Sequence, residues 1–152
     1  MSRQFYCLEI IFGTPEFDEA LNLRYNILRK PLNMEYEAED IAKEFDSIHL
    51  GCYDNITNEI AGVLVLKPLD KHVLKMRQVA VDVTYQSKGV GTFLVSESEK
   101  LAKSLGYIKI ELHARDTAID FYLKSGYSSS GLVFKEVGID HQFMSKNLDL
   151  FL

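Results

Sequence analysis

The sequence predicts an α/β protein with three layers, in which a mixed, mostly antiparallel sheet of about six to seven strands is flanked by helices on both faces. Segments rich in β-branched and aromatic residues alternate with segments of helical periodicity along the chain. The helical segments fall between strands, and one hairpin is indicated near the middle. With 152 residues, of which 47% are hydrophobic, the chain can bury one core, so we expect a single domain over residues 1–152.

The first third of the chain is predicted to form a strand, a helix and an acidic connection. Residues 5–12 are rich in aromatic and β-branched types, which favours a strand. Thr14 suits a helix N-cap and a proline follows it, so a helix is expected over residues 15–30. Residues 32–46 contain six carboxylates, and we expect a loop there, followed by a short helix over residues 39–45.

Six further strands and two further helices are predicted in the remainder of the chain. A turn rich in Asp and Asn between two apolar runs indicates the hairpin. One helix is expected to end at Gly106, which suits a C-terminal cap, and another to span residues 118–127. The strands are expected at 47–53, 59–67, 72–82, 107–113, 132–137 and 141–148.

Composition and charge exclude several classes of protein. The net charge of −5 disfavours a nucleic-acid surface and mildly favours cationic small molecules or peptides as partners. The apolar runs are too short to span a bilayer, and the first residues are better explained as a strand than as a signal peptide. Two cysteines without metal-ligand spacing are expected to be free thiols, so we expect a cytoplasmic protein with no metal and no membrane partner.

The most informative stretch is the junction between a strand and a helix within residues 79–106. The first N–H groups of a helix have no intrahelical acceptor, and the helix dipole places partial positive charge there. Two glycines, Gly89 and Gly91, remove side chains, Lys88 adds a full positive charge, and Ser87 and Thr92 offer hydroxyl donors. Together they predict a phosphate-binding turn, and its spacing is neither that of a P-loop nor that of a dinucleotide-binding loop.

This junction resembles the acyl-CoA signature of the GNAT N-acetyltransferase superfamily. The signature has the form Gln-x-x-Gly-x-Gly after a strand, and here it consists of Gln86, Gly89 and Gly91. A strand follows the glycine helix, and the segment FYLKSGY in the next predicted helix is also similar to that superfamily. The two parts lie in the expected order and together cover residues 79–127.

The resemblance implies a fold and a donor site. The strands on either side of the glycine helix would run parallel and splay apart, with acyl-CoA in the gap and its pyrophosphate on the helix N-terminus. Arg115 stands where the superfamily often has asparagine, and it can reach a carbonyl or a phosphate. The donor-binding residues that the resemblance implies are Val79, Ala80, Val81, Gln86, Ser87, Lys88, Gly89, Val90, Gly91, Thr92, Arg115 and Ala118.

The resemblance also implies an activity, the transfer of an acetyl group from acetyl-CoA to a primary amine of a small molecule or peptide by direct attack on the thioester. Tyr122 matches the family tyrosine that faces the sulfur, and we expect it to be the general acid. The glutamate that many relatives carry on the strand before the glycine turn is absent, since this strand has Lys75, Arg77 and Gln78. His113 is the best local candidate for the general base, and a water chain is the alternative.

A finer similarity is to the ElaA-like branch of the superfamily. It rests on LHAR at residues 112–115 and on a tail in which an acidic residue, Gly-Ile and a histidine follow one another. The resemblance to this branch makes Arg24, Glu136 and His141 candidates for the acceptor pocket. The acidic residues 32–46 would form either a wall that steers an ammonium group or a solvated loop.

Three classes of function remain open at this point. The first is an active N-acetyltransferase. The second is a protein of the same fold that binds or senses acyl-CoA without turnover, which the missing glutamate would favour. The third is a chain that uses the fold only for assembly, against which the intact glycine turn argues. An exposed sheet edge near the C-terminal strands would also allow a homodimer.

Overall fold

Seven strands form one mixed sheet in the computed structural model, which describes residues 4–148 of the chain. The order of the strands across the sheet is β1-β2-β3-β4-β5-β7-β6, once they are numbered along the chain. Their bounds are Phe5–Ile10 (β1), Ile48–Asp54 (β2), Ile60–Pro68 (β3), Val73–Val81 (β4), Lys109–Arg115 (β5), Ser128–Glu136 (β6) and Ile139–Asn147 (β7). Every neighbouring pair is antiparallel except β4 and β5, as the sequence predicted.

Four α-helices lie in the described part of the chain, joined to short 3-10 and π-helical turns. Thr14 caps α1 through its side chain, which accepts a hydrogen bond from the Phe17 N–H. Within residues 4–148 no helix has the length and apolar character needed to cross a membrane. The helices are Pro15–Arg24 (α1), Ala38–Ala42 (α2), Val90–Ser104 (α3) and Ile119–Lys124 (α4).

The predicted helix over residues 15–30 changes its winding before it ends. After α1 the chain makes a π-helical turn, Tyr25–Arg29, and then a 3-10 turn, Lys30–Leu32. The Lys30 N–H donates to the Tyr25 carbonyl five residues back, and Pro31 has no N–H with which to continue α-helical bonding. Backbone carbonyls near residue 28 therefore become available to side chains.

Strands β4 and β5 separate after only four residue pairs. The parallel register runs from Val73 opposite Lys109 to Met76 opposite Leu112. Beyond those residues neither strand has the other as a neighbour, so a gap opens in the middle of the sheet. The splay that the family resemblance implied is therefore present.

Strand β4 contains one extra residue at the start of this gap. Opposite β3, Val65 pairs with Arg77 and Val63 pairs with Ala80, so two residues of β4 face one residue of β3. Gln78 lies within this β-bulge and has a φ of 57°. Side chains along a strand alternate between the two faces of the sheet. The extra residue therefore moves each later side chain of β4 to the face opposite the one that it would otherwise occupy.

The bulge gives the two faces of β4 different chemistry. Met76 packs in the core beneath α3, and after the bulge Val79 and Val81 pack against that same core. Lys75 and Arg77 lie on the opposite face, where they line a cavity together with residues of the segment between α1 and β2. The α3 face of this strand is therefore apolar, whereas its α1 face is cationic.

The sheet has one hydrophobic core on each face, which confirms the three-layer architecture. The larger core lies under α3 and α4 and the smaller one under α1, with Phe17 and Leu23 facing Val63 and Ala80. Full burial of such side chains stabilises the fold by roughly 1.5–3 kcal/mol each. Fully buried side chains under α3 and α4 include Leu94, Val95, Ile110, Leu112 and Met144.

The last hairpin differs from the prediction at both of its strands. Its turn consists of Val137 and Gly138, with φ values of 48° and 76°, so β7 begins two residues earlier than expected. A valine seldom adopts positive φ, and the sequence pattern therefore predicted this turn one residue later, at 138–140. β6 begins at Ser128, and the stretch of serines is a bulge within the strand, where the register shifts between Ser129 and Val133.

Candidate active site

The N-terminus of α3 is open and carries no side-chain cap. α3 has 15 residues, and its N-cap Gly89 has a φ of 81°. Ser87, two residues earlier, also has a left-handed conformation, with a φ of 64°. Alternating left-handed residues turn backbone N–H groups toward a common point, which suits an anion. The predicted phosphate-binding turn thus has a suitable backbone.

The two glycines of the turn have different surroundings. A Cβ atom built on Gly89 would meet no other atom within 4 Å, so its position is open. A Cβ atom on Gly91 would lie 3.3 Å from Cζ of Phe121 on α4. Gly89 therefore provides both the backbone conformation and free space for a ligand, whereas Gly91 allows α4 to pack against α3. A direct contact between Gly91 and a donor stays a prediction.

The remaining predicted residues of the turn are divided between surface and core. Gln86, Ser87, Lys88 and Thr92 are exposed, whereas Val90 is buried and can offer only backbone groups. The Gln86 side chain donates from Nε2 to the Val81 carbonyl at 3.1 Å, which holds the turn against the end of β4. Gln86 thus shapes the turn from within.

A cleft of about 300 Å³ lies where β4 and β5 separate. Its volume is at the lower end of the range for small-ligand pockets. It brings together predicted donor-side and acceptor-side residues that are far apart in the sequence. Those that line it are Val79, His113, Arg115, Ala118, Tyr122, Glu136 and His141. Ala80 and Val81 continue β4 beyond it.

Tyr122 lies on α4 and reaches the cleft from the α3 side of the sheet. It is 6% exposed, and its ring packs edge-on against Phe121 and Tyr127. Burial raises the pKa of Tyr122, so the phenol keeps its proton at neutral pH and above. The Tyr127 hydroxyl donates to Glu99, whereas within residues 4–148 no acceptor is found for the Tyr122 hydroxyl. Tyr122 therefore has a proton available on the wall of the cleft.

Glu136 joins two histidines on the other side of the cleft. His113 Nδ1 lies 3.0 Å from one oxygen of Glu136, and His141 Nε2 lies 3.8 Å from the other. His141 Nδ1 is 2.8 Å from the Ile139 carbonyl and donates to it. Burial would raise the pKa of Glu136, but the hydrogen bond from His113 and the charges of His113, His141 and Lys75 lower it. Glu136 is therefore ionised at neutral pH and orients both rings.

Four cationic side chains also converge on the cleft, namely Arg29, Lys75, Arg77 and Arg115. The Leu28 carbonyl accepts hydrogen bonds from Arg29 Nη1 at 3.3 Å and from Arg115 Nη2 at 3.1 Å. Burial and the neighbouring Arg77 lower the pKa of Lys75, and burial and Arg29 lower the pKa of Arg115. Sequence patterns offered no reason to place Arg29 at the site, since only the π-helical turn and the sheet bring the four groups together.

The predicted acceptor residue Arg24 lies behind the cleft. It is 1% exposed, and its two Nη atoms each donate to one Glu44 oxygen at 2.8 Å. Burial opposes its charge, but Glu44 holds the pKa of Arg24 above its usual value. The Tyr36 ring lies 5.0 Å from the Arg24 guanidinium and 4.7 Å from that of Arg29, and its hydroxyl donates to Gln78. The geometry gives Arg24 a positioning role, and a direct contact with an acceptor stays a prediction.

The acidic segment 32–46 forms the outer rim of a second cavity beside the cleft. Glu35, Glu37 and Asp40 line this cavity opposite Lys67, and it shares Lys75, Arg77 and Gln78 with the first cleft. The rim is acidic, as the sequence suggested, but the floor is cationic. The expected acidic wall is therefore only one side of a mixed entrance.

Two curated relatives from Bacillus subtilis (strain 168) match most of the chain. YyaT is 28% identical over 136 residues, which cover 88% of this chain and 90% of the relative. The N-acetyltransferase YjcF is 30% identical over 133 residues, which cover 87% of this chain and 93% of the relative. Matches of this length include the turn at residues 86–91 wherever the uncovered residues lie.

Solved structures share the fold at lower identity. ElaA of Escherichia coli superposes with a TM-score of 0.75 at 21% identity, covering 93% of this chain and 97% of its own. An aminoglycoside 6'-N-acetyltransferase complexed with coenzyme A gives 0.78 at 19% identity, covering 95% and 97%. Spermidine N-acetyltransferase from Vibrio cholerae, in complex with CoA and spermine, gives 0.72 at 19% identity, covering 95% and 96%.

The acetyltransferase (GNAT) family profile matches residues 15–127. That range contains α1, the bulged strand β4, the uncapped N-terminus of α3 and the helix that carries Tyr122. With this match and the shared fold, the chain belongs to the GNAT acetyltransferase family.

Proposed function

We propose that the protein transfers the acetyl group of acetyl-CoA to a primary amine of a small molecule or peptide. The observation that carries the proposal is the continuity between the splayed strand β4 and the uncapped N-terminus of α3. One chain segment thus offers an edge for an extended ligand and an anion-binding turn at its end. The solved structures with CoA, and with CoA and spermine, support the same choice of donor and of acceptor chemistry.

The residues present fit the donor. Backbone N–H groups in the first turn of α3, with Ser87 and Lys88 beside them, would hold its phosphates, and Gly89 leaves room for them. β4 has no strand beside it on the β5 side beyond Met76, so its backbone groups there can bind the extended arm of the donor. When bound, acetyl-CoA supplies a thioester carbonyl that an amine can attack.

The side chains of the cleft would carry the protons. The ring of His113 is held by Glu136 through Nδ1, which leaves Nε2 to take a proton from the acceptor amine. Glu136 then stabilises the positive charge that His113 acquires. Tyr122 keeps its proton at neutral pH and can give it to the departing thiolate. Tyr122 and His113 belong to opposite walls of one cleft, as two opposed proton transfers require.

Isothermal calorimetry of acetyl-CoA and CoA, with ATP for comparison, tests the donor site first. We expect micromolar binding of both CoA forms and much weaker binding of ATP, because the extended arm along β4 contributes to affinity. Equal binding of ATP would mean that only the phosphate-binding turn contributes to affinity. The absence of binding by acetyl-CoA and CoA would contradict the proposal.

Thiol release from acetyl-CoA with a panel of amines tests turnover. The alternative is a protein that binds acyl-CoA without turnover, and it is favoured by the Lys75, Arg77 and Gln78 sequence where relatives carry a catalytic glutamate. Binding of acetyl-CoA without thiol release by any amine would support that alternative. Thiol release that depends on one class of amine would support the transferase.

A further inference from the structure

The acceptor half of the cleft has a charge opposite to that of the whole chain. Four lysine and arginine side chains line the cleft against one carboxylate, Glu136, which gives a net charge of +3 with the histidines neutral. The chain as a whole has a net charge of −5. A cationic cleft in an acidic protein concentrates anions at that place.

The cations lie on the acceptor face of the sheet. Lys75 and Arg77 precede the bulge and point away from the α3 core, whereas Val79 and Val81 follow it and point toward that core. Arg115 lies on β5 beside the buried Ala114 and donates to the Leu28 carbonyl in the π-helical turn after α1. The donor phosphates would bind at the N-terminus of α3, against the other face. These cations are therefore placed to meet the acceptor and not those phosphates.

Within residues 4–148 none of the four cations has a carboxylate as an ion-pair partner. Glu136, the one carboxylate of the cleft, is held by two histidines. Burial, and to a smaller extent a neighbouring arginine, lowers the pKa of Lys75 and of Arg115, which is the direction expected for cations crowded together away from water. A bound anion would offset both the cost of burying these charges and their mutual repulsion.

We infer that the acceptor of the proposed acetyl transfer is an anionic amine, which carries a carboxylate or a phosphate group beside the amine that is acetylated. This inference rests on the proposed function and names its substrate class. Arg29, Arg77 and Arg115 offer planar donor pairs that match either group. The amine would then lie toward His113 and Glu136. Polyamines and aminoglycosides, which carry several positive charges, fit this floor poorly.

Matched pairs of amines test the inference directly. L-Amino acids are compared with their α-carboxamides, and 2-aminoethyl phosphate is compared with ethanolamine, with spermidine as the cationic reference. Thiol release gives kcat/KM for each at saturating acetyl-CoA. We expect at least tenfold higher kcat/KM for the anionic member of a pair. The two arms also distinguish a carboxylate from a phosphate as the group that is bound.

Substitutions test which residues cause the preference for anionic amines. Arg77→Gln is expected to reduce the anionic preference about tenfold through KM, while acetyl-CoA affinity by calorimetry stays unchanged. Arg77→Glu is expected to shift the preference toward spermidine. Lys71→Gln is the matched control, because Lys71 is exposed and lies in the turn before β4, outside both cavities. An equal effect of Lys71→Gln would mean that overall charge is responsible, which would overturn the inference.

The outcomes separate this inference from the proposed function. Transfer to neutral amines or spermidine at equal or higher kcat/KM overturns the anionic acceptor and leaves the acetyltransferase intact. If no amine is acetylated, calorimetry of the same amines against the CoA-saturated protein decides. If only the anionic amines bind, the cleft is a site for anionic amines and it is the proposed acetyl transfer that is wrong. If the anionic amines do not bind, the inference is overturned.

Discussion

The proposed donor side and the proposed acceptor side of the cleft are built in different ways. The donor turn consists of consecutive residues from Gln86 to Gly91, and its shape follows from local conformation at Ser87 and Gly89. The acceptor side is assembled from the π-helical turn that follows α1, from β4 and β5, and from the β6–β7 hairpin. Family members that use acetyl-CoA share the need to bind this donor, and one short turn can encode much of that binding. Recognition of the acceptor depends instead on how segments that are distant in the sequence meet in the fold.

The two sides also differ in what holds them together. The donor turn depends on backbone conformation and a helix end, with few side-chain bonds. The acceptor side depends on charged and aromatic groups, among them the Arg24–Glu44 pair and the cluster around Glu136. Substitutions should therefore affect one side without the other, and the sizes of their effects test this separation.

Gly89→Glu is the substitution with the largest expected effect. It places a negative charge at the helix N-terminus and fills the space that a donor phosphate would occupy. We expect acetyl-CoA affinity by calorimetry to fall about 1,000-fold, or about 4 kcal/mol. The strain of a side chain at positive φ adds roughly 1–2 kcal/mol of lost stability.

Gly13→Glu is the matched control for that strain. Gly13 has a φ of +82°, almost the same as Gly89, and a Cβ atom there would also meet nothing within 4 Å. It precedes α1 and lies outside both cavities. Both variants should lose similar stability, but only Gly89→Glu should lose donor affinity. Unchanged affinity in Gly89→Glu would mean that the turn does not bind phosphate.

Glu44→Gln tests the scaffold of the acceptor side. Removing one partner leaves the buried Arg24 charge without compensation, which typically costs about 3 kcal/mol or more. We expect urea unfolding to show that loss, and the acceptor KM to rise because Tyr36 and Arg29 lose their support. Acetyl-CoA affinity should stay unchanged. The double variant Arg24→Met with Glu44→Leu should recover most of the stability, and failure to do so would indicate that packing, not charge, is decisive.

The exposed pair Lys43–Asp40 is the control for that experiment. Its atoms are 3.9 Å apart, and its side chains are 75% and 68% exposed. Asp40→Asn is therefore expected to change stability by less than about 0.5 kcal/mol. A loss as large as that of Glu44→Gln would contradict the assignment of the cost to burial.

The donor turn was predictable from sequence because its features are local. A strand, two glycines at fixed spacing and an amphipathic helix define an open helix end, and the structure has that geometry at Gly89. The seven-stranded mixed sheet also followed from periodicity and from the family resemblance. Other details differ from the prediction. Val137 at positive φ and the π-helical turn after Arg24 are backbone conformations that sequence patterns seldom indicate. β5 begins and ends two residues later than predicted.

On the acceptor side, the sequence identified individual residues but not their arrangement. His113 and Glu136 were both singled out, but their contact depends on β7 lying between β5 and β6, which no local pattern indicates. The cationic floor depends on the bulge at Gln78, whose single extra residue sets the faces of β4. Sequence charge counts gave the opposite impression, because Glu35, Glu37 and Asp40 lie on the rim and not on the floor.

Tyr122→Phe tests the proposed proton donor, which lies between the donor side and the acceptor side of the cleft. It removes the proposed proton donor, so kcat should fall about 100-fold with acetyl-CoA affinity unchanged. Burial raises the pKa of Tyr122, so deprotonation of this group should not reduce wild-type activity up to pH about 10. Tyr127→Phe is the control, since it loses the hydrogen bond to Glu99 and should lower stability but not kcat. Full activity of Tyr122→Phe across pH would exclude it as the general acid.

Glu136→Gln is expected to have a small effect on stability, and its pH dependence identifies the cause. The neighbouring histidines lower the pKa of Glu136 in the folded protein, so its contribution is present above the ordinary glutamate pKa of about 4.3 and is lost as pH falls through the lower folded value. The side chain is 46% exposed, so the loss at pH 7 should be below about 1 kcal/mol. Unfolding free energies of wild type and variant should therefore differ at pH 7, and the difference should shrink as pH falls below about 4.3. Glu9→Gln, at an exposed position on β1, should show no such difference. A gap that is as large in strong acid as at pH 7 would mean that Glu136 acts through packing and not through its charge, and the ionised carboxylate that orients His113 would lose its support.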